Sequence, residues 1–298
     1  MARGAVAVAL PYDPRPDQEP EDAGLPSGPG PYLRIGAFAS FHRYAALARL
    51  LKATACDLSA ATGHPYAGFR VAVNSRLPEK SLTGVAGLGC RGRSDLLLTH
   101  AYGPACVLGL LLLPFDPLET ARGGQFAGNP TALQASHPCA SCQACADACP
   151  GRAIAGSADR NASGDGCGGS PAYHKEACIQ HWMSTMDEPP KALLPSFGFR
   201  LYGCDACILA CPLSAGAWLA DRSDGSSPAS RADALLLPAE RRPGSFISAS
   251  FLAEAGDDEL KVFFRRTALG LSWLGPSMIR RNAALANRDS GTVNGPGI

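Results

Sequence analysis

Residues 139–150, CASCQACADACP, and residues 204–212, CDACILACP, decide how this chain folds. The first run spaces its cysteines as C-x2-C-x2-C-x3-C-P through Cys139, Cys142, Cys145 and Cys149. The second, C-x2-C-x3-C-P, carries Cys204, Cys207 and Cys211. Three thiolates separated by two residues wrap one face of a four-iron cubane, whereas the fourth, set off by a wider gap and followed by proline, ligates a different cluster. Each run therefore needs the other. The second lacks a cysteine three positions before Cys204, and Cys178 in the helix-like YHKEACIQHW (173–182) supplies the missing thiolate from a distance.

Crossing the fourth ligands gives two complete sets: Cys139, Cys142, Cys145 and Cys211 for one [4Fe-4S] cluster, and Cys149, Cys178, Cys204 and Cys207 for the other. Structural zinc is the plainer alternative, because four close thiolates also satisfy a tetrahedral ion. Zinc explains neither the two Cys-Pro endings nor the crossed count of eight. Of the remaining cysteines, Cys56 and Cys106 lie in apolar surroundings and read as small buried hydrophobes. Cys167 falls in the glycine- and serine-rich stretch GSADRNASGDGCGGSPA (156–172). Cys90 stands in GLGCRGRS (87–94), a glycine-rich turn where backbone amides can approach a large ligand closely.

Outward from the cysteines, the first half of the chain alternates apolar runs with one long helical pattern. AVAVAL (5–10), FRVAVNS (69–75) and VLGLLLLPF (107–115) read as buried strands bounded by Gly and Pro. Between the first two, SFHRYAALARLLKATACDLSAAT (40–62) repeats Tyr44, Leu47, Leu50, Leu51 and Ala55 at helical spacing, with Ser40 as N-cap. Strand, helix, strand predicts an α/β layer. Residues 12–33 and DRSDGSSPASRAD (221–233) read as loops. The tail from Ser248 reads as two helices with a basic face of Lys261, Arg265, Arg266, Arg280 and Arg281, which could contact a phosphate backbone or simply be solvated.

Composition narrows the partners. Lys+Arg number 27 against 26 Asp+Glu, a net charge of +1, so no global positive field captures nucleic acid and a polyanion must be held locally. A disulfide-rich secreted domain would be shorter and spread its cysteines. The apolar start is interrupted by Pro11, and the run Ala105–Pro114 is about half of a membrane span. These features predict a soluble protein of a reducing cytoplasm, with no membrane partner.

With the paired cysteine motifs established, the chain resembles the epoxyqueuosine reductases, cobalamin and iron–sulfur enzymes of queuosine synthesis in tRNA. VAVALPYDP (6–14) resembles that family's early strand ending in tyrosine, and SFHRYAALARLL its tyrosine-histidine helix start. AGLGCRGRS and LLLTHAYGPACVLGLLLL (96–113) resemble its cobalamin-side segments, LYGCDACILACP (201–212) its second cysteine motif, and RRNAALAN (280–287) its arginine-asparagine helix. The resemblance implies an α+β fold: a nitroreductase-like α/β cobalamin-binding domain (1–135), a ferredoxin-like double [4Fe-4S] insert (136–215) and a C-terminal helical segment (216–298). It also implies that family members extend beyond both ends of this sequence.

The same resemblance implies a reductase that converts epoxyqueuosine to queuosine in tRNA or performs a related reductive deoxygenation. Its electrons would come from an external one-electron donor such as flavodoxin or ferredoxin. It assigns His42, Gly89, Cys90, Gly92, Arg93 and Tyr102 to the cofactor or substrate pocket. Asn74, in RVAVNSRLPEKSL (70–82), stands where the family carries its proton-donating aspartate, and an amide does not titrate near neutrality. The proton would then come from water, Glu79 or Asp95, or the substrate differs. Cys90, Arg93 and Ser94 replace the family's usual tryptophan, lysine and asparagine. A ferredoxin-like electron carrier whose cobalamin site has been lost is the alternative function.

Overall fold

The structure is a computed structural model that describes residues 2–15, 32–117, 139–155, 173–218, 227–270 and 274–286. The stretch 156–172, with Cys167, lies outside the described residues. Strands run β1 (Gly4–Pro11), β2 (Tyr32–Ile35), β3 (Arg70–Val73), β4 (Gly89–Arg91), β5 (Leu97–Thr99), β6 (Cys106–Leu113), β7 (Arg200–Tyr202) and β8 (Phe246–Ser248). Helices α1 (Ala37–Ser40), α2 (Arg43–Thr62) and α3 (Glu79–Val85) belong to the first half. Short helices α4 (Ala144–Asp147), α5 (Ile179–Met183), α6 (Ala206–Leu209) and α7 (Ala215–Trp218) carry or follow the cysteines. Helices α8 (Pro228–Ala234), α9 (Ala249–Glu254), α10 (Asp257–Phe264) and α11 (Pro276–Ala286) complete the described chain.

The three apolar runs form one antiparallel sheet in the order β1-β6-β3. Because β1 and β3 both oppose β6, they run parallel to each other without touching, and α2 bridges them as the strand-helix-strand pattern predicts. Central β6 is apolar nearly throughout; Leu111 and Leu113 pack in one core with Leu47, Leu51 and Ala55 of α2. Edge strand β1 is less buried than its sequence suggests: Val6 is 39% exposed, since an edge has a neighbour on one side only.

A second sheet, β7-β2-β8, takes one strand from the chain's start, one from the cysteine region and one from the tail. Its buried Leu33, Ile35, Leu201 and Ile247 share a core with Ile179, Met183 and Phe197 and with Leu260, Phe264 and Ile279 of the tail. Each such side chain contributes roughly 1.5–3 kcal/mol on burial, so the cysteine region is fastened to both ends of the chain. The third sheet is the hairpin β4-β5.

Several expectations are corrected. Ser40 does not cap the long helix; it closes α1, its hydroxyl donating to Ala37 O at 2.9 Å, and His42 precedes α2. The break at Phe41 is held by Arg43, which is turned inward to Ala37 O (2.7 Å) and Asp233. Tyr32 and Leu33 belong to β2 rather than a loop, because they pair with Ser248 and Ile247 of β8. Part of 221–233 is helix α8, capped by the Ser227 hydroxyl. The tail holds three described helices instead of two, since Gly256 interrupts the pattern between α9 and α10. Cys56 is exposed on α2 and Cys106 only partly buried at the start of β6.

Candidate functional site

The eight motif cysteines all have partly buried side chains, and none forms a disulfide. The Cys145 thiol is pushed up to about 11, first by burial and then by the neighbouring thiols of Cys139, Cys211 and Cys142. Burial pushes Cys207 well above the ordinary value, with Cys204, Cys178, Cys145 and Cys149 adding to it. Cys145 thus has Cys139, Cys211 and Cys142 as neighbours, and Cys207 has Cys204, Cys178, Cys145 and Cys149, with Cys145 and Cys207 close enough to influence each other. Among the described residues no three of His, Cys, Asp and Glu converge as they would on a single metal ion. The fit to clusters rests on donor chemistry: burial and mutual repulsion both disfavour crowded thiolates, and a cationic iron core relieves both.

The β4-β5 hairpin reaches this region. Arg93, in its turn, donates from Nε to Cys142 O (3.1 Å), from Nη2 to Cys139 O (3.0 Å) and from Nη1 to Ala155 O (3.4 Å). Two residues on, Asp95 accepts from Arg91 Nε (2.7 Å) and Lys80 Nζ (2.6 Å). Burial alone would raise the Asp95 carboxyl, but these two cations outweigh it and hold the group below the usual carboxylate range. Behind the hairpin, Gly216 packs where a Cβ would overlap the Ala101 carbonyl, so the segment after Cys211 sits directly against the loop that carries Tyr102.

Two further residues touch the cysteines without having been singled out in the sequence. Tyr173 hydrogen-bonds the Cys178 thiol, and burial, followed by that bond, drives its phenol far up. Asp205, between Cys204 and Cys207, is buried; its Oδ2 accepts from Ala37 N (2.8 Å) and lies 3.5 Å from Arg34 Nη2. Burial raises the Asp205 carboxyl. No spacing rule marks either residue: Tyr173 stands outside the cysteine motifs, and the partners of Asp205, Ala37 and Arg34, come from a distant segment.

On the opposite side of the hairpin, a cavity of about 160 Å³ is lined by residues including Tyr44, Asn74, Glu79, Lys80, Leu97 and Cys106. Asn74 stands at φ 50°, a left-handed conformation that Asn tolerates better than most residues. Its backbone N donates to Glu79 Oε2 (3.2 Å) and that of Ser75 to Glu79 Oε1 (2.8 Å), so Glu79 closes the turn. The Cys106 thiol is pushed up to about 12 by burial, partly offset by Thr99, and burial likewise raises the Tyr44 phenol. Of the two carboxylates weighed as proton donors, Glu79 lines the cavity, whereas Asp95 is occupied by Arg91 and Lys80.

The residues assigned to a corrin pocket have other contacts. A Cβ on Gly89 would overlap the Leu98 carbonyl across the hairpin, and one on Gly92 would sit 2.8 Å from the Leu98 side chain. Both glycines are therefore required by the hairpin itself. Cys90 is buried in β4, and Tyr102 is half-buried, its N–H donating to the Thr99 hydroxyl at 3.1 Å. His42 lies outside the cavity lining; its Nδ1 has no partner among the described residues, and burial lowers its pKa against the opposing effect of Glu240. Among the described residues the cavity is smaller than the 300–1,000 Å³ usual for small-molecule sites. In the tail, Arg280 pairs with Asp257 and Lys261 with Asp258, while Arg281 turns inward to backbone carbonyls.

No protein-family model matches the chain. It is 32% identical over 168 residues to the epoxyqueuosine reductase of Shewanella oneidensis, an alignment covering 55% of this chain and 36% of that protein. It is 26% identical over 212 residues to the Bacillus subtilis epoxyqueuosine reductase, covering 70% of this chain and 44% of the relative. The alignments span between 28% and 53% of the curated relatives. A structure of the B. subtilis enzyme with its catalytic aspartate loop swung out of the active site superposes with TM-score 0.63 at 22% identity, covering 95% of this chain and 63% of that one. An epoxyqueuosine reductase structure holding an epoxyqueuosine-modified tRNA stem loop gives TM-score 0.61 at 22% identity, again over 95% and 63%. The shared fold is mixed α/β, and in sequence and in fold this chain is similar to the epoxyqueuosine reductases over about a third to a half of the length of the curated relatives it matches.

Proposed function

We propose that this chain is a double-cluster reductase of the epoxyqueuosine type, acting on epoxyqueuosine in tRNA or on a closely related electrophile. The observation that supports the proposal is the crowding of thiols around Cys145 and around Cys207, in keeping with the crossing expected from spacing, together with the contacts of Arg93 to the cysteine loop. Removing an epoxide oxygen as water consumes two electrons and two protons. Two cubanes passing single electrons from a flavodoxin- or ferredoxin-class donor suit that demand. The division of labour follows the segments: a nitroreductase-like part (1–135) around the cavity, a ferredoxin-like insert (136–215) with the clusters, and a helical segment (216–298) that closes the second core.

Cobalamin enters this reading through the family resemblance. When bound, it supplies the carbon–oxygen chemistry. The chain's own contribution at the cavity is the turn 74–79. Asn74 cannot release a proton there, and Glu79 is the carboxylic acid among the lining residues. In this reading Glu79 passes a proton to the departing oxygen. Glu79→Gln keeps one of the two acceptors that bind the N–H groups of Asn74 and Ser75, and is expected to cost about 100-fold in turnover.

The test is anaerobic purification with quantitation of iron, sulfide and cobalt. Turnover is then assayed with cobalamin, a one-electron donor and an epoxyqueuosine-bearing anticodon stem loop. Eight irons per chain and a deoxygenated product support the proposal; cluster-loaded protein that yields no product overturns it. The second reading, an electron carrier without cobalamin, is favoured by Asn74. It predicts cluster absorption, no retained corrin and electron transfer to an acceptor protein.

A further inference from the structure

We propose that Arg93 is the positioning residue of the first cluster set, clamping the loop that carries Cys139 and Cys142 and holding a fixed positive charge beside that set. The inference rests on the cluster reading above and deepens it. Arg93 comes from the β4-β5 turn, yet its three hydrogen bonds all go to backbone carbonyls of the cysteine region: Cys139 at 3.0 Å, Cys142 at 3.1 Å and Ala155 at 3.4 Å. The first two belong to cluster ligands, so the guanidinium fixes the peptide planes that aim those side chains. A planar fork can address three carbonyls in different directions; the point-like ammonium of lysine cannot.

The charge matters as well as the fork. Asp95, the nearest carboxylate in the hairpin, is taken by Lys80 and Arg91, which leaves the Arg93 guanidinium directed at the cysteine loop. A cluster becomes more negative on reduction, so a fixed cation beside it stabilises the reduced state and raises its potential. Guanidinium stays protonated at any accessible pH, so the effect is constant. The sequence motif has no means of supplying this, because a cation 46 residues before Cys139 is outside any spacing rule.

The test compares wild type, Arg93→Met and Arg93→Lys, all purified without oxygen, by iron and sulfide content, EPR-monitored reductive titration and the rate of cluster loss in air. In Arg93→Met one of the two midpoint potentials falls while the other holds, and cluster loss accelerates several-fold. Arg93→Lys keeps both midpoints near wild type but still loses its cluster faster, which separates charge from clamp. Unchanged midpoints and loss rate in Arg93→Met, or equal shifts of both midpoints, overturn the inference while leaving the cluster reading intact. Should Arg93→Met fail to fold, an unaltered loss rate in Arg93→Lys overturns the clamp. Wild-type protein devoid of acid-labile sulfide overturns the cluster reading and the inference with it.

Discussion

Two arginines of this molecule make the same kind of contact in different places. Arg93 donates to the carbonyls of Cys139, Cys142 and Ala155; Arg281, on α11, donates to those of Asp187 (2.9 Å), Trp182 (2.8 Å) and Thr185. In sequence Arg281 reads as part of a basic face, whereas Arg93 is assigned through the family resemblance to the cofactor or substrate pocket. Arg281 gathers the carbonyls at and beyond the end of α5, where a helix leaves acceptors unpaired and its negative pole attracts a cation. Burial lowers the Arg281 pKa against the pull of Glu188 and Asp187, so this guanidinium is held for its hydrogen bonds in spite of its charge. At Arg93 charge and hydrogen bonds act on the same thing, the cysteine loop. One contact pattern therefore serves the fold at one end and a redox site at the other.

The contrast can be broken or sharpened by substitution, beginning with an arginine that has no redox neighbour at all. Arg43 is 3% exposed and pairs bidentately with Asp233 (3.0 and 2.9 Å) while donating to Ala37 O. Arg43→Ala strands these acceptors and is expected to cost about 3–5 kcal/mol, read as a fall in the urea midpoint. Arg281→Ala should cost about 2–3 kcal/mol with both cluster potentials unmoved. A potential shift in that variant would erase the distinction drawn between the two arginines.

Smaller effects probe the hairpin itself. Asp95→Asn removes the partner of Lys80 and Arg91, and because those pairs are partly exposed the loss should be about 1 kcal/mol. The sign with pH follows from the lowered carboxyl: its contribution is full above the unfolded carboxylate pKa and disappears as pH falls through the lower folded value. Acid unfolding of the variant should therefore begin with a shallower slope below about pH 4. The smallest effect belongs to His42, whose pKa burial lowers. Its stabilisation is complete above about pH 6.5 and is lost as pH falls through the folded value, so His42→Asn should flatten stability measured between neutral and mildly acidic buffer. A pH response identical to wild type would show that the imidazole is already solvated.

How much of this was legible in the chain differs sharply between regions. The cysteine sets follow from spacing, because a cubane dictates the separation of ligands along the backbone. The three strands of the first sheet and helix α2 follow from apolar periodicity, since one face of each meets a continuous core. What misled was local chemistry without context. Ser40 reads as a cap, but Arg43 pulls the chain inward first. Cys56 sits among apolar residues, yet its side of α2 faces solvent. Gly89 and Gly92 suggest a ligand approaching closely, and what approaches is Leu98 across the hairpin.

The linear order of residues was sufficient to propose eight sulfur ligands and their crossing and to show the resemblance to a family, because each depends on intervals that the backbone itself enforces. Tertiary structure alone decided that Arg93 meets the cysteine loop, that Asp95 is spent on Lys80 and Arg91 while Glu79 faces the cavity, and that Tyr173 touches Cys178. The Arg93 pairing joins segments 46 residues apart, and every one of these contacts needs donor and acceptor placed to within a few tenths of an ångström. Periodicity can say which face of an element is buried; only the packed molecule says what lies against it.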